Sequence, residues 1–597
     1  MTFRYSPLDK ICNDKGGSTK EGSAINFIVY TDNSYVNLIV KNDKTQETAV
    51  YPLSGVDGEF SLALKGLKKG LYFYHFESDG CYFGKDDFLN AIKSDIKSLQ
   101  SFQLTVYDKS YTVPTWLNGG FIYQIFPDRF NKDGEIYVKG RIMKKWGDQP
   151  HYKPDELGKI KNNDFFGGNF KGIEKRLSYL KNLGVTAIYL NPIALSYSNH
   201  RYDTADYLKL DPLLGSESDL KSLINSAHKK GIKLIFDGVY NHTGDDSVYF
   251  NKYGNFDSVG AYQSKTSPYY SWYSFQEYPI KYTSWWGINV LPTINKNSKE
   301  FEDFILTKVL PYYFNLGFDG VRLDVVDELP TPFVKKIRKT VKNLNPNAII
   351  IGEVWEDATN KIAYGSRREY FLGNELDSVM NYPLKNAIIN ALTLGDIDGF
   401  YKTVSEQINN YPKASLNALM NVLGTHDTAR ILSVLSGEKL PSDRESASKF
   451  SLTFSQKQLA IKRLIIAYVL LFTLYGAPTV YYGDENLTEG CKDPFNRTCM
   501  DFSKGNNEVY KLIKKLSKIR KEHKSLLVGD LELIKYDGNV ISFVRRYENE
   551  EIQVVINLSN YVYIVDGNGM QELLTNTTKK SYELEKYSLV ILKRRNI

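Results

Sequence analysis

Cysteine is scarce in this chain: four in 597 residues, at Cys12, Cys81, Cys491 and Cys499. That is too few for a disulfide framework. Cys491 and Cys499 are near enough in sequence to pair, but free thiols in a reducing cytosol are the simpler expectation. Basic blocks are also missing. The 76 Lys and Arg are intermixed with 69 Asp and Glu, so the net charge of +7 is spread thin and no nucleic-acid surface is expected. The longest apolar stretch, Leu464 to Tyr482, is interrupted by Gly476-Ala477-Pro478. It reads as a buried helix followed by a strand, not as a membrane span. The opening run Met1 to Lys10 lacks the apolar core of a secretory leader, so a cytoplasmic protein is expected. No internal repeat or low-complexity tract is visible, and the length calls for several domains.

Aromatic residues, by contrast, are abundant. Forty-four Tyr and 31 Phe bring the aromatic share to 14%. Many fall in loop-like stretches, such as Pro268-Tyr269-Tyr270-Ser271-Trp272-Tyr273 and Trp285-Trp286-Gly287. Flat rings in loops suit the apolar faces of sugars, although burial is the commoner fate of a single ring. These two clusters are therefore candidate sugar platforms.

Three styles of patterning follow one another. Short strands with polar turns, at Ile25–Tyr30, Tyr35–Val40, Gly58–Leu64, Leu71–Phe76 and Gln103–Tyr107, predict an antiparallel β-sandwich over residues 1–112. From 113 to 524 strands alternate with amphipathic stretches such as Phe170–Leu183 and Ser216–Lys230. Eight strand candidates fit a (β/α)8 TIM barrel of the α/β class better than an open sheet. They are Phe121–Phe126, Ala187–Leu190, Leu234–Asp237, Gly320–Leu323, Ile349–Gly352, Ser378–Met380, Leu419–Leu423 and Thr479–Tyr482. A long aromatic segment, about 243–291, reads as an excursion after the third strand that walls the site. Residues 525–597 return to strands and predict a C-terminal antiparallel β-domain.

Three acids each end an apolar run bounded by glycine: Asp324 after Gly320-Val321-Arg322-Leu323, Glu353 after Ile349-Ile350-Ile351-Gly352, and Asp427 after Leu423-Gly424-Thr425-His426. Acids at the C-terminal ends of different barrel strands are the usual makings of a catalytic centre in this architecture. Carboxylates gathered in one cleft acquire separated pKa values, so one can donate a proton while another stays ionised. Arg322 lies two residues before Asp324, on the same face of the strand. Its permanent charge is expected to hold Asp324 ionised. A strand-end Asp is often only a helix cap, but three such acids together favour chemistry.

The ordered set Asp237-Gly238-Val239-Tyr240-Asn241-His242, Arg322-Leu323-Asp324, Gly352-Glu353-Val354-Trp355 and His426-Asp427 closely resembles the α-amylase family of glycoside hydrolases, family 13. Gly184 to Pro192 and Gly476 to Glu485 match as well, and Tyr123 to Phe130 after a sandwich narrows the likeness to the neopullulanase, cyclomaltodextrinase and maltogenic amylase branch. The resemblance covers about Gly120 to the C-terminus. It implies retaining hydrolysis of α-1,4 links, extending to α-1,6 links, in maltodextrins, cyclodextrins or pullulan. Asp324 would be nucleophile, Glu353 acid/base and Asp427 a holder of sugar hydroxyls. Arg322, His242, His426, Tyr202, His200, Trp355, Asp493 and Arg497 are the substrate-binding candidates it implies.

The branch often binds calcium near the start of the barrel. Asn131 and Asp133 are the metal candidates, but Asn169 stands where Asp is usual, which weakens a hard-cation site. No cofactor is otherwise required. Thr425 replaces a common Asn, and Leu291-Pro292-Thr293-Ile294-Asn295 departs from the branch pattern, so the choice of glucan stays open. Transfer to a sugar acceptor on the same site is the alternative, and a non-catalytic glucan-binding protein is disfavoured by the complete acid set. A homodimer through the N-terminal domain is the partner the branch implies.

Overall fold

The computed structural model describes residues 3–594 apart from residues 157, 159, 536 and 537. Up to Tyr107 the chain forms two facing sheets. One has four strands, Phe3–Arg4, Ile25–Thr31, Glu59–Leu64 and Ser54–Val56. The other is built around Gly70–Ser78, which pairs with Asn37–Asn42, Cys81–Lys85 and Phe102–Tyr107. Alternation sorts the faces: Ile25, Phe27 and Val29 from the first sheet meet Leu38, Val40, Tyr74, Phe76 and Leu104 from the second in one core.

The next eight strands close a parallel barrel. They are β1 Ile122–Ile125, β2 Ala187–Leu190, β3 Lys233–Gly238, β4 Gly320–Leu323, β5 Ile349–Gly352, β6 Ser378–Val379, β7 Met420–Asn421 and β8 Ala477–Tyr481. Pairing runs β6-β5-β4-β3-β2-β1-β8-β7, and a parallel bridge from Met380 to Met420 joins the two ends of that series. Period two divides each strand. Ile122, Tyr189, Ile235, Ile351, Met420 and Ala477 fill the interior, whereas Tyr123, Ile188, Leu234, Val321 and Ile350 pack outward in the larger core shared with the helices. Arg322 therefore stands on the inward parity of β4, as the sequence pattern predicts.

The helices follow local signals. Glu217–Lys229 begins with a capping box between Ser216 and Asp219, and Phe454–Thr473 with one between Thr453 and Gln456. The amphipathic stretch 170–183 is two helices, broken at Arg176, whose guanidinium lies over the Phe502 ring. The apolar run from Leu464 is buried helix and then β8, and among the described residues no helix is long and apolar enough to cross a membrane. The seventh strand is shorter than expected, with only Met420 and Asn421 in the ladder.

A five-stranded antiparallel sheet, Asp530–Lys535, Val540–Tyr547, Glu550–Asn557, Ser588–Arg594 and Met570–Glu572, forms the C-terminal β-domain. Buried Arg545 ties it to the barrel, and Arg520, in the barrel helix Glu508–Glu522, lies beside it at the seam. Arg520 donates to the carbonyls of Gly119, Phe472, Leu474 and Gly476, and Arg545 to those of Thr473 and Gly529. These include carbonyls that the end of helix Phe454–Thr473 leaves without intrahelical partners. All four cysteines are free thiols.

Candidate active site

Arg322 organises the floor of the cleft. Its Nη1 donates to Asp237 Oδ1 and to Asp324 Oδ1, each at 2.8 Å. Its Nη2 lies 2.9 Å from Glu353 Oε2, an ion pair without the alignment of a directed hydrogen bond. Glu353 is anchored instead by the Val325 N–H, 2.9 Å from Oε2, and by Trp355 Nε1, 3.2 Å from Oε1. Val325 reaches that position through a left-handed backbone, φ 37°, which is an outlier for a β-branched residue. Trp355 stacks on Tyr382 with ring centroids 3.8 Å apart and planes at 9°.

One electrostatic expectation is corrected. Arg322 does not hold Asp324 low, because burial outweighs it and its single charge is shared by three carboxylates. Burial raises Asp324 well above the ordinary carboxylate range, Arg322 opposes that, and the charges of Glu353, Asp237 and Asp427 add to it. Burial also raises Asp427 to about 7, followed by repulsion from Glu353, although about a third of its side chain opens to the cleft. The cleft thus holds protons more tightly than separate acids would.

The strand-end histidines are neutral donors. Burial drives His426 well below its usual range and His242 down to about 3, where the Lys296 charge helps. Gln124 Nε2 donates to His426 Nδ1 at 2.9 Å, which leaves the proton on Nε2, facing the Tyr202 hydroxyl at 2.6 Å and Asp427 Oδ2 at 3.1 Å. Tyr202 stacks on His426 at 6° and gives its own proton to Asp237 Oδ2. His200 Nδ1 accepts from the Tyr202 N–H at 3.1 Å, and burial lowers its pKa too. Arg497 pairs with Asp493 at 2.8 Å and approaches Asp427 at 3.7 Å. His242 stacks against Trp285 at 5.0 Å, and its Nε2 is buried without a partner. All eleven residues singled out by sequence for catalysis and substrate binding therefore line one connected network at the C-terminal end of the barrel.

The aromatic clusters divide. Trp272 and Tyr273 are buried against Tyr249 and Phe250, so these two rings of the 268–273 run are core, while Tyr269 and Tyr270 are half-buried. Trp285 and Trp286 remain at the cleft. The metal candidates do not fit a hard cation. Lys175 Nζ sits 2.5 Å from Asp133 Oδ1, the Asn131 amide donates to the Gly172 carbonyl, and the Asn169 side chain caps helix Phe170–Lys175 while donating to the Asp133 carbonyl. An ammonium group stands where a calcium ion would need open oxygens. Among the described residues no three His, Cys, Asp or Glu side chains are grouped to hold a metal.

Several members of the network were missed. Asp237, Tyr189, Gln124, Asn191 and Lys296 carry second contacts: Tyr189 OH gives to Asp237 at 2.5 Å, Gln124 to Asn191 at 3.1 Å, and Lys296 to Asn241. Inward parity on β1, β2 and β3 was the available signal for Gln124, Tyr189 and Asp237. Lys296 had none, since it lies in an irregular return segment.

Comparison with known proteins agrees with this geometry. The family described as alpha amylase, catalytic domain, matches residues 124–504. An amylopullulanase of Thermoanaerobacter thermohydrosulfuricus is 37% identical over 80% of this chain but only 35% of its own length. The chain spans 28–40% of the amylopullulanases it matches. A cyclomaltodextrinase of Thermoanaerobacter pseudethanolicus is 32% identical over 86% of this chain and 84% of its own. Among solved structures, the type III pullulan hydrolase from Thermococcus kodakarensis superposes with a TM-score of 0.71 at 25% identity, covering 99% of this chain and all of that one. The chain belongs to the α-amylase family of glycoside hydrolases.

Proposed function

We propose that this protein hydrolyses α-glucosidic bonds with retention, acting on α-1,4 and also α-1,6 links of maltodextrins, cyclodextrins or pullulan. The observation that carries this reading is the joint hold of Arg322 on Asp324 and Glu353. Sharing one guanidinium keeps both carboxyls within reach of one anomeric carbon, as a retaining nucleophile and proton donor must be. Asp324 attacks the anomeric carbon while Glu353 passes its proton to the departing glycosidic oxygen, and the bond between that oxygen and the anomeric carbon breaks. Glu353, now a carboxylate, takes a proton from water as the water displaces Asp324. Asp427, His242 and His426 hold ring hydroxyls and gain strength as positive charge develops on the sugar. The names of the relatives support the choice of glucans.

Replacing Asp324 by Asn is expected to abolish turnover while the protein stays folded. Near-normal activity in that variant would overturn the nucleophile assignment. A product profile across maltodextrin, β-cyclodextrin, pullulan and starch ranks the substrates. Transfer to a sugar acceptor is the second reading, favoured by the open rings of Trp286, Tyr364 and Trp355. Oligomers longer than maltotriose, appearing from the first minutes of its digestion, support it. A homodimer through the sandwich is supported by the exposed edge strands Thr48–Pro52 and Ser54–Val56. A single-chain mass in light scattering would sink it.

A further inference from the structure

Two exposed aromatic residues near the cleft hold a left-handed backbone, Trp286 at φ 50° and Tyr364 at φ 51°. Such a conformation costs roughly 1–3 kcal/mol for a non-glycine residue. The two residues are 77% and 68% exposed, so burial does not offset that cost. The two come from different segments. Trp286 belongs to the excursion after β3, and Tyr364 to the tip of a small hairpin after β5, between Ile362–Ala363 and Ser366–Arg367. Glu328, just beyond Asp324, joins them. Its Oε1 accepts from Trp285 Nε1 at 3.3 Å and from the Tyr364 hydroxyl, which is also within hydrogen-bond reach of the Trp286 side chain. Trp285 is stacked between His242 and Trp286, at 5.0 and 4.9 Å.

The barrel order, with the roles given above, sets which side of the scissile bond this wall faces. The family resemblance puts Asp493 and Arg497 against the sugar on the non-reducing side, and they follow β8, which stands across the ring from β4. Glu328 and Tyr364 follow β4 and β5, the strands that carry Asp324 and Glu353. A proton donor on β5 serves the departing oxygen, so the leaving sugar lies on the β5 side of the site, where the Tyr364 hairpin follows that strand.

The hairpin does not hold itself. Arg367 grips Asp43 of the N-terminal sandwich through Nε at 2.8 Å and Nη2 at 3.0 Å, a two-point contact that fixes orientation as well as distance. The Arg367 guanidinium also lies over the Phe73 ring. Gln103, again of the sandwich, donates to Thr359 Oγ1 at 2.8 Å and accepts from Asn360 Nδ2 at 2.7 Å, just before the hairpin. The Asp108 N–H donates to the Leu372 carbonyl just after it.

We propose that the N-terminal sandwich positions, within the same chain, a sugar-binding wall on the leaving-group side of the cleft. Trp286 and Tyr364 contact the sugars beyond the scissile bond, Glu328 latches Tyr364 to Trp285, on which Trp286 stacks, and Asp43 and Gln103 are positioning residues for the hairpin. This rests on the glycosidase reading above. The same wall receives the acceptor sugar when transfer competes with water.

The test compares α-maltosyl fluoride, whose fluoride leaving group needs no wall, with maltoheptaose, whose leaving sugars do. Asp43→Ala and Tyr364→Ala are each expected to raise KM for maltoheptaose about tenfold. Turnover of α-maltosyl fluoride by Asp43→Ala should stay at the parent level, and Asp43→Glu should restore most of the maltoheptaose KM. The double variant should be no worse than Tyr364→Ala alone, because Asp43 acts through that ring. Additive losses in the double variant, equal losses on both substrates, or an unchanged maltoheptaose KM would each overturn the proposal. A parent protein inert toward α-maltosyl fluoride would instead defeat the glycosidase reading itself.

Discussion

Arg322 on the cleft floor and Arg520 at the seam with the C-terminal domain are both buried cations, yet their surroundings are of opposite kinds. Arg322 faces the carboxylates of Asp237, Asp324 and Glu353. Arg520 faces backbone carbonyls and has the like charge of Arg545 nearby. The anions push the Arg322 pKa further up, whereas burial and Arg545 push Arg520 down. Carbonyls cannot titrate and their dipoles already point outward from the end of a helix, so the seam gains cohesion without gaining chemistry. Carboxylates crowded around one guanidinium are short of countercharge, so a buried member such as Asp324 holds its proton to higher pH than a free carboxyl does. The lesson is that a buried arginine marks a reacting site by the ionisable company it keeps, not by its burial.

The sharpest way to break this contrast is to swap each arginine for Met, which keeps length and removes charge. Arg322→Met is expected to lower kcat/KM by about 10³-fold or more while the protein still melts cooperatively. Arg520→Met should leave the activity per folded molecule near normal but lower stability by about 3 kcal/mol or more, as several carbonyls lose their donor. If Arg520→Met spares stability and damages turnover, the division of roles fails.

The pH dependence should separate the two regions next. The raised Asp324 and Asp427 are expected to place the acidic limb of kcat/KM for α-maltosyl fluoride above the ordinary carboxylate value of about 4. A limb at or below that value would remove the crowding argument. Stability offers a companion measurement at Asp484, buried beside Arg430 and raised by burial to about 7. A carboxyl raised in the fold binds its proton more tightly there than in the unfolded chain. It therefore favours the fold while protonated, and that contribution drains away as pH climbs from about 4 through about 7. Asp484→Asn should flatten this slope in urea unfolding series, and an unaltered slope would show that Arg430 keeps Asp484 ionised.

The smallest effect concerns the Asp133–Lys175 pair, which is partly open to solvent. Chelation by EDTA is expected to leave activity and melting temperature unchanged, and Lys175→Ala to cost at most about 1 kcal/mol. A melting temperature that rises with added calcium would show that the ion displaces Lys175 from Asp133.

How far the sequence carried these conclusions depended on the range of each signal. Asp324, Glu353 and Asp427 were visible because a strand end is a local pattern, and Arg322 because parity is local too. Parity also put Gln124 and Tyr189 on the inward face, but their partners His426 and Asp237 sit at the ends of other strands, which no single segment reports. Glu328 and Tyr364 needed three separate loops to converge. The Trp272 run was misjudged for a related reason: an aromatic loop looks the same in sequence whether its neighbours bury it or leave it open.

Val325 carries a consequence for how such a chain can change over generations. Its left-handed turn aims a backbone N–H at Glu353, and a β-branched side chain makes that turn expensive. Glycine there would relax the backbone, so a search for heat-resistant descendants should meet Val325→Gly early. The same freedom would let the peptide drift away from the carboxyl it steadies. Endurance and turnover thus compete at a single peptide bond, and retaining valine there favours the second.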